Sequence, residues 1–160
     1  MLGVTIIALG KLKEKYLRDG CDEYIKRLST LCKLRIVELE PVKLSDNASQ
    51  SEIDKALGRE AKEILSKIPS GSKIVAMCIE GKQMPSEKLS KFFEESAVSG
   101  CNGITFVIGS SYGLDESLKK KADVRLSMSE MTFPHQLARV MLLEQVYRAF
   151  MISNSSKYHK

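Results

Sequence analysis

Three stretches of this 160-residue chain gather residue types able to bind or transform a ligand: Glu80-Gly81-Lys82, Gly109-Ser110-Ser111-Tyr112-Gly113, and Ser127 to His135. Each follows a short apolar run that reads as a strand, and glycines at such ends let the backbone turn sharply or approach a ligand closely. In open α/β sheets ligands bind at the carboxyl ends of the strands, so three consecutive ends of this kind point to one pocket. Gly81 or Gly109 alone reads as an ordinary turn glycine. The dinucleotide pattern Gly-x-Gly-x-x-Gly is absent after the first strand, where only Leu9-Gly10-Lys11 occurs, and no Gly-x-x-x-x-Gly-Lys-Ser/Thr phosphate loop is present. One catalytic pattern does occur. Gly109 to Gly113 fits Gly-x-Ser-x-Gly, the nucleophile elbow of serine hydrolases; Ser111 would attack, His135 would take its proton, and Asp115 or Asp123 would orient the imidazole. A single strand between Ser111 and His135 leaves little framework for an acid loop. Five-residue patterns with three fixed positions also arise often by chance, so this reading is the weaker one.

The elements that must position these stretches follow from periodicity. Val4–Leu9, Leu34–Leu39, Ile74–Ile79, Ile104–Ile108 and Val124–Met128 read as strands, the third and fourth apolar enough for burial on both faces. Lys13–Leu28 carries Leu17, Cys21, Tyr24 and Leu28 on one helical face. Ile53, Leu57, Ile64, Leu65 and Ile68 mark a second helix, stopped by Pro69-Ser70-Gly71. Pro85-Ser86 opens a third that Gly100 closes, and Asp115–Lys121 makes a short fourth. Pro134 starts a last long helix reaching about Ile152, packed through Leu137, Val140, Met141, Val146 and Phe150. Strands alternating with helices mean an α/β domain with a largely parallel sheet, expected as one domain over residues 1–160.

With 43% hydrophobic and 28% charged residues, the chain has the balance of a globular protein and not of a disordered one. No apolar run reaches the roughly 20 residues of a membrane-spanning helix. Met1 to Gly10 reads as a first strand and not a signal peptide. The net charge of +5 suits a polyanionic partner without identifying it. Cys21, Cys32, Cys78 and Cys101 form no Cys-x-x-Cys pair and read as small core residues in a reducing cytoplasm. Two histidines are too few for a histidine-rich metal centre. The expectation is a cytoplasmic protein with no membrane and no metal.

The carboxyl-terminal third is the most specific region. Val107 to Gly113, then Met131-Thr132-Phe133-Pro134-His135-Gln136, then Leu143 to Phe150, then Tyr158-His159-Lys160, occur in an order and spacing that resemble the RlmH family of the SPOUT superfamily, the ribosomal RNA large subunit methyltransferases H. A first strand followed by Gly10-Lys11-Leu12-Lys13 and Tyr16 resembles the family's amino-terminal signature, and the length fits throughout. The resemblance implies an S-adenosylmethionine-dependent methyltransferase acting at N3 of a pseudouridine in 23S rRNA, and so the ribosome as partner. It also implies a homodimer, with a SPOUT-type Rossmann-like parallel sheet flanked by helices and a C-terminal trefoil knot, which periodicity cannot reveal. Carried over position by position, the cofactor loops are Met77, Gly109 and Met128-Ser129-Glu130-Met131-Thr132-Phe133. Without the resemblance, Met77, Met128 and Met131 would be read as core methionines. The family usually has Gly-Gly where this chain has Gly109-Ser110, and a basic residue is common where Glu130 stands.

Methyl transfer from a sulfonium needs alignment more than acid chemistry, but a pseudouridine N3 carries a proton that must leave. His159, with an ordinary pKa of about 6.5, is the candidate catalytic base; Tyr158 is a candidate to stack on the base, and Lys160 to hold a phosphate. Arg139 and Arg148 on the last helix are candidate contacts to RNA or to a partner subunit. Leu142, Leu143, Val146, Tyr147 and Phe150 make that helix apolar over more than one stripe, which suggests a second buried surface, as a homodimer would provide. Gly109 is expected to stay small because a side chain would block the cofactor's approach, at limited cost to the fold. A non-catalytic RNA-binding module that has kept the fold is the other alternative.

Overall fold

In the computed structural model, which describes residues 1–154, five strands and five helices alternate: β1 (Gly3–Leu9), α1 (Lys15–Leu28), β2 (Lys33–Leu39), α2 (Gln50–Lys67), β3 (Ser72–Lys82), α3 (Ser86–Val98), β4 (Gly103–Ile108), α4 (Glu116–Lys121), β5 (Val124–Leu126) and α5 (His135–Asn154). The strands form one sheet in the order β2-β1-β4-β3-β5, and every pairing is parallel. Gly3 lies between Lys33 and Gly103 in register, so the first strand is interior, with a neighbour on each side.

Alternation along the strands divides the core between two faces. Val4, Ile6 and Ala8 of β1 and Ile104, Phe106 and Ile108 of β4 pack with Cys21 and Leu28 of α1, Leu89 and Phe93 of α3, and Leu142, Leu143, Val146 and Ala149 of α5. Ile7, Leu9, Ala76 and Val107 face the other way, onto Ala61 and Ile64 of α2 and Leu118 of α4. Helices therefore cover both faces, and all six residues of β4 are buried. Local chemistry sets the boundaries. Ser49 caps α2 by accepting from Glu52 N while the Glu52 carboxylate returns to Ser49, and Gly100 leaves α3 at a φ of +77° that a side chain would resist.

Several expectations are corrected. β5 ends at Leu126, not Met128. Ser127 N still donates to Lys82 O (3.0 Å), the ladder bond that pairs Leu126 with Lys82, but the Ser127 hydroxyl then donates to Ser129 O and the chain folds out of the sheet. β3 is buried on both faces only at Val75 and Ala76; its register shifts after Met77 and Ile79 is exposed. Leu137 does not pack α5 but is exposed. The surplus apolar stripe of α5 is consumed within the chain: α5 runs between α1 and α3, with the Phe150 ring 5.2 Å from Phe93 and the Tyr147 ring 6.1 Å from Tyr24. Leu142, Leu143 and Val146 are fully buried in this way, while Met141, Tyr147 and Phe150 stay half-buried. Cys21 and Cys32 are core residues as expected, and burial pushes the Cys32 thiol up to about 11. Cys78 and Cys101 are only half-buried.

Candidate functional site

At the carboxyl ends of β3, β4 and β5 lies a cleft of about 720 Å³, within the usual size range of small-molecule sites. Its walls are Met77 to Glu80 from β3, Ile108 to Leu114 after β4, and Leu126 to Ser129 with Met131 to His135 after β5. Parts of the three marked stretches thus meet in one place: residues 109–113, residues 127–129 with 131–135, and Glu80. Gly81 and Lys82, expected to follow the third strand, instead continue β3 and do not line the cleft. Of the eight expected cofactor residues, Met77, Gly109, Met128, Ser129, Met131, Thr132 and Phe133 line the cleft, and Glu130 does not. Met131 is 74% exposed, which excludes a core role for it; Met77 and Met128 are half-buried and also touch the core.

The loop after β4 is a tight turn. Gly113 N donates to Ser110 O (2.9 Å), and Gly113 sits at a φ of +87°. A Cβ on Gly109 would fall 2.4 Å from Gly113 O and 2.9 Å from Leu114 Cδ2. Gly109 is therefore required by the turn itself, which corrects the expectation that a side chain there would trouble only the cofactor. After β5, Ser127 Oγ donates to Ser129 O (2.9 Å) and Met131 N donates to Ser129 Oγ (3.0 Å), so two serines fold that wall.

Electrostatically the cleft is balanced. Among the described lining residues the formal charges are Glu80 and Lys119, which pair with each other; that bond holds the Glu80 carboxyl below its ordinary pKa. His135 opens α5 at the cleft wall. Burial first, then the Arg139 and Lys13 cations, lower its pKa, so its imidazole is neutral at pH 7. Sequence reasoning placed His135 at the end of the third pocket stretch and weighed it as a hydrolase base, read Cys78 as a core residue, and passed over Lys119 and Ala138, all of which line the cleft. Pro134 opening a helix was the available signal for His135.

The hydrolase geometry is not present. A nucleophile elbow is a sharp, strained turn, yet among the described residues no non-glycine has positive φ. Asp115 caps α4 by accepting from Ser117 N (3.0 Å), and Asp123 accepts from Ile74 N (2.7 Å) and faces Lys73. No hydrogen bond among the described residues links Ser111 to His135.

Arg139 is corrected as an RNA or partner contact. It is 3% exposed, paired with Glu38 at 2.5 Å and donating to Gly10 O at 3.0 Å. Together with Lys13 N donating to Gln136 Oε1 (2.9 Å), it ties the segment after β1 to the start of α5. Arg148 is half-buried and holds Glu144 Oε1 through Nε (3.0 Å) and Nη2 (2.6 Å). Tyr158, His159 and Lys160 lie outside the described residues. No cluster of metal-ligating side chains occurs among the described residues, and no described helix is long and apolar enough to cross a membrane.

A parallel α/β sheet with helices on both faces and a neutral cleft built by the loops after β3, β4 and β5 defines a Rossmann-like small-ligand protein. The family model described as "Predicted SPOUT methyltransferase" matches residues 2–159, and the chain belongs to the SPOUT methyltransferase family. It is similar to proteins named ribosomal RNA large subunit methyltransferase H from three organisms. The Clostridium perfringens protein is 53% identical over 159 residues, covering 99% of this chain and 100% of the relative. The Streptococcus suis protein is 48% identical over 157 residues (98% and 99%), and that of Leuconostoc mesenteroides 46% over 159 residues (99% and 100%).

Proposed function

We propose that this chain transfers a methyl group from S-adenosylmethionine to N3 of a pseudouridine in large-subunit ribosomal RNA, acting in the cytoplasm as a homodimer of single-domain, knotted subunits. The observation that carries the reading is the cleft at the ends of β3, β4 and β5, in a chain similar over its whole length to methyltransferases of that name. The donor set fits an adenosyl sulfonium. Met77, Ile79, Leu114 and Phe133 offer apolar surface for a neutral purine, and the turn of residues 109–113 offers backbone polar groups. The paired Glu80 and Lys119 and the neutral His135 place no net cation beside a positive sulfur. When bound, S-adenosylmethionine supplies a methyl on that sulfur which leaves by displacement, so the protein's task is alignment.

The chain's remaining task is to take the N3 proton, for which His159 is the proposed base, beside Tyr158 on the nucleobase and Lys160 on a phosphate. Arg148 is proposed to contact RNA at the helix surface. Support for pairing moves from the α5 stripe to a second cleft, of about 560 Å³, bounded by Tyr24, Met84, Val140 and Met141 and sharing Met128 with the first. Deleting Tyr158 to Lys160 should leave thermal stability and S-adenosylmethionine affinity unchanged while methylation of ribosomes fails; His159→Ala alone should slow it by about 10²–10⁴. Parental rates from the truncated enzyme would place the chemistry in the cleft loops instead. Mass spectrometry of rRNA from cells lacking the gene, with and without complementation, tests the activity. Calorimetry that shows no cofactor binding would favour an RNA-binding module.

A further inference from the structure

Glu60 is a buried carboxylate, 5% exposed, on the α2 face opposite α5, and no cation pairs with it among the described residues. A charge in such a place must be hydrogen-bonded to be tolerated. Its two oxygens each find one donor: Oε2 accepts from Val42 N (2.9 Å), in the segment 40–49 between β2 and α2, and Oε1 accepts from Ser110 Oγ (3.2 Å). Ser110 is the second residue of the turn that walls the cleft, and its carbonyl closes that turn by accepting from Gly113 N. The carboxylate therefore joins a rigid helix, the segment around Val42 and the wall of the site, across 50 residues of sequence.

We infer that Glu60 is a positioning residue for the cofactor, fixing the turn of residues 109–113 through the Ser110 hydroxyl in the shape that binds S-adenosylmethionine. The inference rests on the cofactor assignment made above. Three features support a positioning role over a purely structural one. The turn is largely exposed, with Ser111, Tyr112 and Gly113 all at the surface, so apolar packing contributes little to its shape. Gly113 is the sort of residue that leaves many backbone shapes open. The only side-chain hydrogen bond to this turn from another element, among the described residues, is the one from Ser110 to Glu60. Losing it leaves the helix, the sheet and the Glu60–Val42 bond in place and frees the turn alone.

The test is titration calorimetry with S-adenosylmethionine on the full chain, alongside thermal melts. Ser110→Ala should raise Kd by roughly 10- to 100-fold, the worth of one hydrogen bond to a charged group, and lower Tm modestly because Glu60 Oε1 loses its donor. Ser110→Thr keeps the hydroxyl and should bind as the parent does. Glu60→Ala, which removes both acceptor oxygens, should weaken binding by a similar factor, and the double variant Glu60→Ala/Ser110→Ala should be no weaker than the worse single, because both remove the same link. Should Glu60→Ala not fold, the Ser110 pair decides by itself. Parental affinity in Ser110→Ala, or a double variant whose losses multiply, overturns the inference. A parental protein that binds no S-adenosylmethionine overturns the cofactor assignment instead, and this inference with it.

Discussion

Strand β4 and the turn that continues it are adjacent in sequence but are held in place by different physics. All six residues of β4 are buried, between β1 and β3 and between helices on both faces, with Phe106 against Phe93 at 6.0 Å. The turn exposes Ser111, Tyr112 and Gly113 and is shaped by one backbone hydrogen bond, one close glycine approach and one hydroxyl on a distant carboxylate. Burial is redundant, since each apolar residue has many neighbours. The turn's contacts are few, and each is needed. A scaffold of the first kind tolerates variation in residue identity, whereas a site of the second kind depends on particular atoms.

The sharpest way to break the comparison is inside the frame. Phe106→Ala should cost about 3–5 kcal/mol by chemical denaturation, while the folded fraction still binds S-adenosylmethionine. A folded variant with no cofactor affinity would mean that frame and site are not separable. Next comes the turn. Gly109→Val should abolish cofactor binding, and the clash with Gly113 O should add about 1–3 kcal/mol of destabilisation, the usual range for overpacking. Normal binding by this variant would show that the cleft is not the cofactor site. Arg139→Met should destabilise by roughly 1–3 kcal/mol, since it strands the partly exposed Glu38 and the Gly10 carbonyl. RNA affinity per folded molecule should not change, and a drop in it would return Arg139 to the interface.

The smallest effect concerns pH. Burial and two cations hold the folded pKa of His135 below its ordinary 6.5, so the unfolded chain binds the proton more readily. Stability from this site is complete above pH 6.5 and is lost as pH falls from there through the lower folded value. His135→Gln should flatten that slope in melts between pH 5 and 7. An unchanged slope would assign the pH dependence to other groups.

The frame was readable because its signals are local. The i, i+4, i+11 spacing of Leu17, Cys21 and Leu28 is visible within one segment, as is the apolar run Ile104–Ile108. Where reading failed, the deciding partner lay far along the chain. Met128 continues an apolar pattern, but β5 finds a ladder partner only as far as Leu126, opposite Lys82, and the hydroxyls of Ser127 and Ser129 fold the chain away. Arg139 looks like a surface cation until Glu38, 101 residues earlier, is placed beside it. The stripe of Leu142, Leu143 and Val146 looks like an interface because nothing local shows that one helix will lie between two others. The cleft sits between these cases. Its glycines and the stretch Ser127 to His135 were legible, whereas the Ser110–Glu60 link was not.

The interior position of β1 has a consequence for synthesis. Its residues pair on one side with β2, beginning at Lys33, and on the other with β4, beginning at Gly103. At elongation rates of about 5–20 residues per second, the second neighbour emerges several seconds after the first. For that interval the nascent chain presents Val4, Ile6 and Ile7 on a strand with one open edge, the kind of surface that pairs with other chains. Soluble yield in the cell therefore depends on the pace of translation between Lys33 and Gly103 and on what shields that edge meanwhile, a vulnerability that the finished sheet no longer carries.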